Sequence, residues 1–235
     1  MRQLEIACVA LLALLSSVAA QDSQCDRLDL QVTTVPVMPQ FANTLHRHFD
    51  LMRSIPVGPI DLMLIGDSLV QNWGADTWGQ RAAGKKIFNF GVGADRTQNV
   101  LWRLQGDELR QVAPRNVLLL IGTNNLGADD KSCATMAGIE AIVQRVRQIW
   151  PAARVLFIAI PPRGNGWMFK NAQRLAVNAQ LHSRAPAQNW AVIDDDAELT
   201  CQFMQPCGNY EPDLLHLSAL GYRSLAATVI RQIGW

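Results

Sequence analysis

LIGDSLVQNW, residues 64–73, takes up the end of the apolar run Asp61-Leu-Met-Leu-Ile65 and passes through Gly66, Asp67 and Ser68. Such a run reads as a buried strand, and the Gly-Asp-Ser that follows reads as the turn leaving it. Two readings of Ser68 compete. Gly, Asp and Ser are ordinary turn and helix-cap residues. The carboxyl end of a strand in an open α/β sheet is also where such folds hold their chemistry, which makes Ser68 a candidate nucleophile. The rest of the chain has to decide.

Apolar runs suited to buried strands recur at 61–65, 86–90, 117–121, 154–160 and 190–193. Helical patterns fall at 41–53, 96–104, 135–150, 169–184 and 218–233, with Pro151 and Pro186 as stops for two of them. Alternating strands and helices predict a parallel sheet covered on both faces, with right-handed crossovers. Loops that follow the strands of such a sheet share one edge. Ser68, the segment Gly91-Val-Gly-Ala-Asp-Arg96 and the segment Gly122-Thr-Asn-Asn125 are therefore expected to converge.

The 235-residue chain is near neutral, with a formal net charge of +1, and its longest basic run is the Lys85-Lys86 pair. That argues against nucleic acid as a partner. Residues 1–20 run from Arg2 through an apolar stretch to Val18-Ala19-Ala20, a small-residue cleavage pattern, and read as a secretory signal. The stretch is shorter than the ~20 apolar residues of a spanning helix, and no later segment is long enough, so stable membrane insertion is not expected. Residues 21–57 read as an arm, polar and proline-punctuated to about residue 40, followed by a helix; residues 58–235 read as one domain. Secretion leaves Cys25, Cys133, Cys201 and Cys207, an even number bound for an oxidising compartment. Among the three possible pairings, Cys201–Cys207 closes a short loop containing Pro206, and Cys25–Cys133 ties down the arm. No Cys-x-x-Cys or His-x-x-x-His spacing suggests a metal. No feature sets an oligomeric state.

A serine hydroxyl needs a base within reach, and the base needs an orienting group. Of four histidines, His46, His48 and His182 lie in helical patterns and read as surface or packed residues. His216 lies three residues after Asp213, so that a helical turn would present both on one side. Donors for a developing oxyanion are the N–H groups of Ser68 and of the Gly93-Ala94 turn, with the amide of Asn124; Asn125 suits the part equally well on chemistry alone. Rival motifs fail. Arg96 stands where a dinucleotide loop needs its third glycine, and Val70 stands where the α/β-hydrolase elbow needs its second.

In order, GDS at 66–68, the loop before Asp95, GTNN at 122–125 and Asp213-x-x-His216 resemble the blocks of the SGNH, or GDSL-type, hydrolases. NFGVGADRTQNVLWRL (89–104), GIEAIVQ (138–144), PPRG (161–164) and HLSALGY (216–222) look like the platelet-activating-factor acetylhydrolase-like branch and its secreted bacterial relatives. The likeness covers residues 58–233. It implies a flavodoxin-like three-layer α/β/α sandwich with a five-stranded parallel sheet, and a cofactor- and metal-independent serine esterase. By resemblance, Ser68 is the nucleophile, His216 the general base and acid, Asp213 its partner and Asn124 the oxyanion side chain. The family's second-block glycine aligns with Ala94, which keeps the N–H and adds a β-carbon. Asp67 reads as a structural turn residue. Asp95, Arg163 and Trp167 are the expected substrate contacts, although Trp167 also fits a packed loop. The expected activity is removal of short acyl groups, acetyl first, from O-acetylated carbohydrates. Acetyl lipids and an inactive binding protein on the same fold are the alternatives.

Overall fold

Nearly every residue of the run at 62–65 is fully buried, and its neighbours alternate between two cores. Met63 and Ile65 join one apolar cluster, Leu62 and Leu64 the other. Only a strand covered on both faces needs such a composition. The computed structural model describes residues 24–235; the expected secretory signal at 1–20 lies outside them. Five strands, β1 (Gly58–Gly66), β2 (Ile87–Gly91), β3 (Val112–Leu120), β4 (Arg154–Ile158) and β5 (Trp190–Ile193), form one sheet in the order β2-β1-β3-β4-β5. All four pairings are parallel. The expected flavodoxin-like order and five-stranded sheet are borne out, and the order reverses between β1 and β3, where folds of this kind place their sites.

The helices are α1 (Arg27–Thr34), α2 (Ala42–Arg53), α3 (Ser68–Gln71), α4 (Thr97–Arg103), α5 (Thr123–Gly127), α6 (Ser132–Ile149), α7 (Asn171–Gln188), α8 (Asp196–Leu199) and α9 (Ala219–Ile233). Side chains of α2, α4, α6 and α7 pack in the Met63 cluster; those of α3, α8 and α9 pack in the Leu62 cluster, so each face of the sheet is covered.

Two expectations need correcting. β3 starts at Val112 and contains Pro114, a residue that cannot donate to a ladder. It is tolerated because β4 begins pairing only at Asn116, leaving that side of Pro114 without a strand neighbour. Pro186 does not stop α7, which continues to Gln188; the stop comes at Asn189 in the left-handed conformation. The polar, proline-punctuated stretch before residue 40 holds a helix that its composition did not announce. This is α1, begun by a reciprocal capping box between Asp26 and Asp29.

The arm is fastened to the fold at several points. Thr33 Oγ1 donates to the Ala134 carbonyl at 2.7 Å, Lys131 pairs with Asp29, and Val37 N–H reaches the Gln98 carbonyl. The Cys25–Cys133 disulfide spans 108 residues, and Cys201–Cys207 spans six. Loop-closure entropy makes the two unequal. Replacing Cys25 and Cys133 together by serine is expected to lower the unfolding free energy by up to about 4–5 kcal/mol, against about 2 kcal/mol for the Cys201–Cys207 pair. Denaturant titration of the two double variants checks the order.

Candidate active site

Ser68 opens α3 directly after β1, and three contacts hold that turn. The Asp67 carboxylate caps it by accepting from Leu69 N–H at 2.9 Å. Asn89 Nδ2 donates to the Val70 carbonyl, and the Tyr222 hydroxyl of α9 donates to the Leu69 carbonyl at 2.8 Å. Gly91, at the end of β2, makes the close approach possible: a β-carbon there would stand 2.3 Å from Gln71 N. Asp67 is a buried structural residue, as expected.

His216 arrives from the far end of the chain. Its Nε2 lies 2.9 Å from Ser68 Oγ and its Nδ1 lies 2.6 Å from Asp213 Oδ2. Asp213 and His216 do not sit on a helical turn. Leu214 between them has φ +53°, and Asp213 Oδ1 accepts from the N–H groups of Leu215 and His216, an Asx-type turn that reaches the same i, i+3 juxtaposition by another path. Gly164 N–H donates to the Leu214 carbonyl, fixing this turn to the loop after β4. Desolvation raises the Asp213 carboxyl, but hydrogen bonds from the His216 ring and backbone and from the Leu215 N–H together outweigh it and hold the group below its ordinary value. An ionised Asp213 only accepts, which places the Nδ1 proton toward it and leaves Nε2 to accept from Ser68.

The loop after β2 supplies the opposite wall. Ala94 has φ +61°, which turns the backbone at the position where a glycine would be unstrained. Gly93 N–H, one of the expected donors, is taken by Gln71 Oε1 at 2.7 Å, which removes it from that part. Among the described residues, the N–H groups of Ser68 and Ala94 have no acceptor. Asn124 Nδ2 lies between the Asp95 carbonyl at 3.0 Å and Asp67 Oδ2 at 3.4 Å, on the same side. Gly122, at φ +118°, starts the turn that aims it. Asn125 is excluded: it is fully buried and bonded to Thr97, Gln98 and Asp130.

A cleft of about 450 Å³ opens beside Ala94 and Asn124, walled by Arg96, Arg163, Phe41 and Phe169. A second hollow meets it at Phe41, Thr44, Gly93 and Ala94, so α2 forms part of the wall. Two of the expected contacts point elsewhere. The Asp95 carboxylate is turned into the protein, 2.6 Å from Arg103 Nε, with both side chains almost wholly buried. Trp167 is packed against Tyr210, ring centroids 4.7 Å apart, and is 4% exposed. Arg163, the third expected contact, lines the cleft, together with Phe169.

Sequence reasoning missed Arg103. It ties three pieces of the site together, donating to Asp95, to the Phe90 carbonyl at 2.9 Å and to the Gly66 carbonyl at 3.3 Å. A signal for it exists: Arg103 follows Val100 by three residues and so shares its face, in a helix of which every residue but Trp102 is buried.

Burial pushes the Asp67 carboxyl up to about 7. Between its ordinary value and 7 the folded state holds a proton that the unfolded chain lacks, so stability falls as pH rises through that window, by up to about 1.4 kcal/mol per pH unit. His48, pushed down to about 4 by burial, acts in the opposite sense over pH 4–6.5. Asp67→Asn keeps the capping oxygen and removes the titration. Relative to the parent, it is expected to gain stability steadily from pH 4.5 to 7, read from denaturation midpoints across the series.

The GDSL-like Lipase/Acylhydrolase family model matches residues 64–224. The chain belongs to this family. Human platelet-activating factor acetylhydrolase IB subunit alpha1 is 34% identical over 184 residues, covering 73% of this chain and 76% of the relative. The human alpha2 subunit is 32% identical over 177 residues, covering 70% and 72%. Two solved structures share the fold. A GDSL-like lipase from Bacteroides thetaiotaomicron superposes with TM-score 0.65 at 17% identity, over 83% of this chain and 98% of that one. An acetylxylan esterase from Geobacillus stearothermophilus superposes with TM-score 0.63 at 18% identity, over 76% and 96%. As a GDSL-type member the chain is a serine ester hydrolase, and small esters are its substrate class. Among the described residues no helix is long and apolar enough to cross a membrane.

Proposed function

We propose that this esterase removes acetyl and similarly short acyl groups from O-acetylated carbohydrates, outside the cytoplasm, through an acyl-enzyme on Ser68. The observation that carries the chemistry is the relay of 2.9 Å from Ser68 Oγ to His216 Nε2 and 2.6 Å from His216 Nδ1 to Asp213. Ser68 Oγ attacks the ester carbonyl carbon while its proton passes to Nε2. The carbonyl oxygen becomes negative and is met by the N–H groups of Ser68 and Ala94 and by the Asn124 amide. Collapse breaks the bond to the acceptor, whose oxygen takes the proton from His216. Water then attacks the acyl-enzyme by the same route in reverse, giving acetate and free Ser68. The two disulfides favour an oxidising compartment. Residues 21–57 are proposed as an added N-terminal element and 58–235 as the catalytic domain.

The β-carbon of Ala94 narrows the oxyanion side of the cleft, and among the described residues no long apolar lid covers it. Activity is expected to peak on acetyl and propionyl esters and to fall steeply by octanoyl, and Ala94→Gly is expected to widen that range. An acyl-length series of nitrophenyl esters checks both; kcat/KM rising with chain length contradicts the reading. A second reading, acetyl lipid as substrate, is favoured by the names of the curated relatives. Acetate release from acetylated xylo-oligosaccharide against acetylated glycerolipid separates the two.

A further inference from the structure

Two guanidinium groups border the cleft beside Ala94 without a carboxylate in salt-bridge contact. Arg96 and Arg163 are both half-buried, yet among the described residues neither has a carboxylate within 4.0 Å. Arginines buried elsewhere in the fold are treated differently. Arg103 has Asp95 at 2.6 Å, and Arg174 has Asp196 at 2.6 Å. Asp95 is paired with Arg103 and Asp213 with His216, while Asp67 attracts Arg163 and Asp130, bonded to the Asn125 amide at 3.0 Å, attracts Arg96 only from beyond ion-pair distance. A desolvated cation with no partner is costly, and a bound anion offsets that cost.

Arg163 is also held in place. Its guanidinium lies 4.2 Å from the centre of the Phe169 ring, and a β-carbon at Gly127 would come within 2.7 Å of one of its nitrogens. A fork fixed in this way suits a planar carboxylate, which takes two parallel hydrogen bonds. Phe41, 59% exposed on the cleft wall, leaves its ring open to the C–H face of a pyranose. An alkyl chain finds no continuous apolar floor, because glycine, asparagine and charged residues interrupt the lining.

Resting on the esterase reading above, we propose that Arg96 and Arg163 form an anion site for the acceptor half of the ester, and that the preferred substrate is an acetylated sugar bearing a carboxylate. The chemistry that recognises a carboxylate also recognises a phosphate, so the test includes both sources.

The experiment measures kcat/KM of the purified protein on an O-acetylated methyl glucuronoside and on its carboxyl methyl ester, which has nearly the same shape and no charge. The free acid is expected to be favoured by at least about tenfold at low ionic strength, with the advantage shrinking in high salt as the charges are screened. In Arg163→Gln and Arg96→Gln the ratio of acid to methyl ester is expected to fall toward one, and in Arg163→Glu to invert; Arg163→Lys is expected to keep part of it. The ratio is internal to each variant, so a partly unfolded preparation does not alter it. Equal turnover of acid and methyl ester by the parent overturns the anion site and leaves the esterase standing, whereas no turnover of any ester overturns both. A higher kcat/KM on a monomeric acetylated glycerophosphate than on the glucuronoside overturns the sugar assignment.

Discussion

Ser68→Ala is expected to lower kcat/KM on an acetyl ester by at least about 10⁴-fold, the scale seen when the nucleophile of a coupled triad is removed. Among the described residues, Ser68 supplies the hydroxyl within hydrogen-bond reach of His216 Nε2, and no other stands in its place. The fold is expected to survive. Ser68 is half-buried, and the turn that presents it is held by Asp67, Asn89 and Tyr222 rather than by its own hydroxyl. The lost hydrogen bond is worth about 1 kcal/mol, and the polar group left without its partner is the Nε2 of the half-buried His216. Steady-state kinetics beside a thermal melt therefore separate chemistry from stability at this position.

Arg103→Met is expected to cost about 3–5 kcal/mol of stability, because it leaves the Asp95 carboxylate buried and unpaired together with the carbonyls of Phe90 and Gly66. The cost has a functional side, since the Asp95 carbonyl is one acceptor of the Asn124 amide and the turn at Ala94 precedes it directly. Activity measured well below the melting temperature is expected to fall as well. Adding Asp95→Leu to Arg103→Met removes the orphaned charge, so the double variant is expected to be less destabilised than the sum of the single changes. Urea titration of the four proteins gives the coupling.

Much of this arrangement is legible in the amino-acid order alone. The unbroken apolar run at 62–65 and its recurrences identify a sheet buried on both faces, and that topology brings Ser68, Ala94 and Asn124 to one edge. The pairing of Ser68 with His216 follows from the Asp-x-x-His spacing, although the turn that realises it is an Asx turn with Leu214 left-handed and not a helical one. What the sequence hides is direction. Asn124 and Asn125 are chemically identical neighbours, and only the left-handed start at Gly122 sends one toward the site and the other into the core. Trp167 and Phe169 lie two residues apart in a loop with positive φ values at Gly164, Gly166 and Trp167, where no periodicity fixes which ring is buried. Asp95 is lost as a substrate contact because its partner, Arg103, is eight residues away and looks like a helix-surface arginine unless its i, i+3 relation to Val100 is followed. The helix inside the arm is hidden for a related reason. The capping pair Asp26 and Asp29 marks a helix start, but α1 gains its stability from Cys133, Ala134 and Lys131 on and beside α6, about a hundred residues on.

Whether Ser68 is an activated nucleophile decides everything else proposed for this site, and covalent labelling tests it most directly. A fluorophosphonate incubated with the purified protein near neutral pH is expected to add one phosphonyl group per chain, located on Ser68 by peptide mass spectrometry, with the rate falling sharply in His216→Ala. A label on any other residue, or an unlabelled protein that is folded, contradicts it.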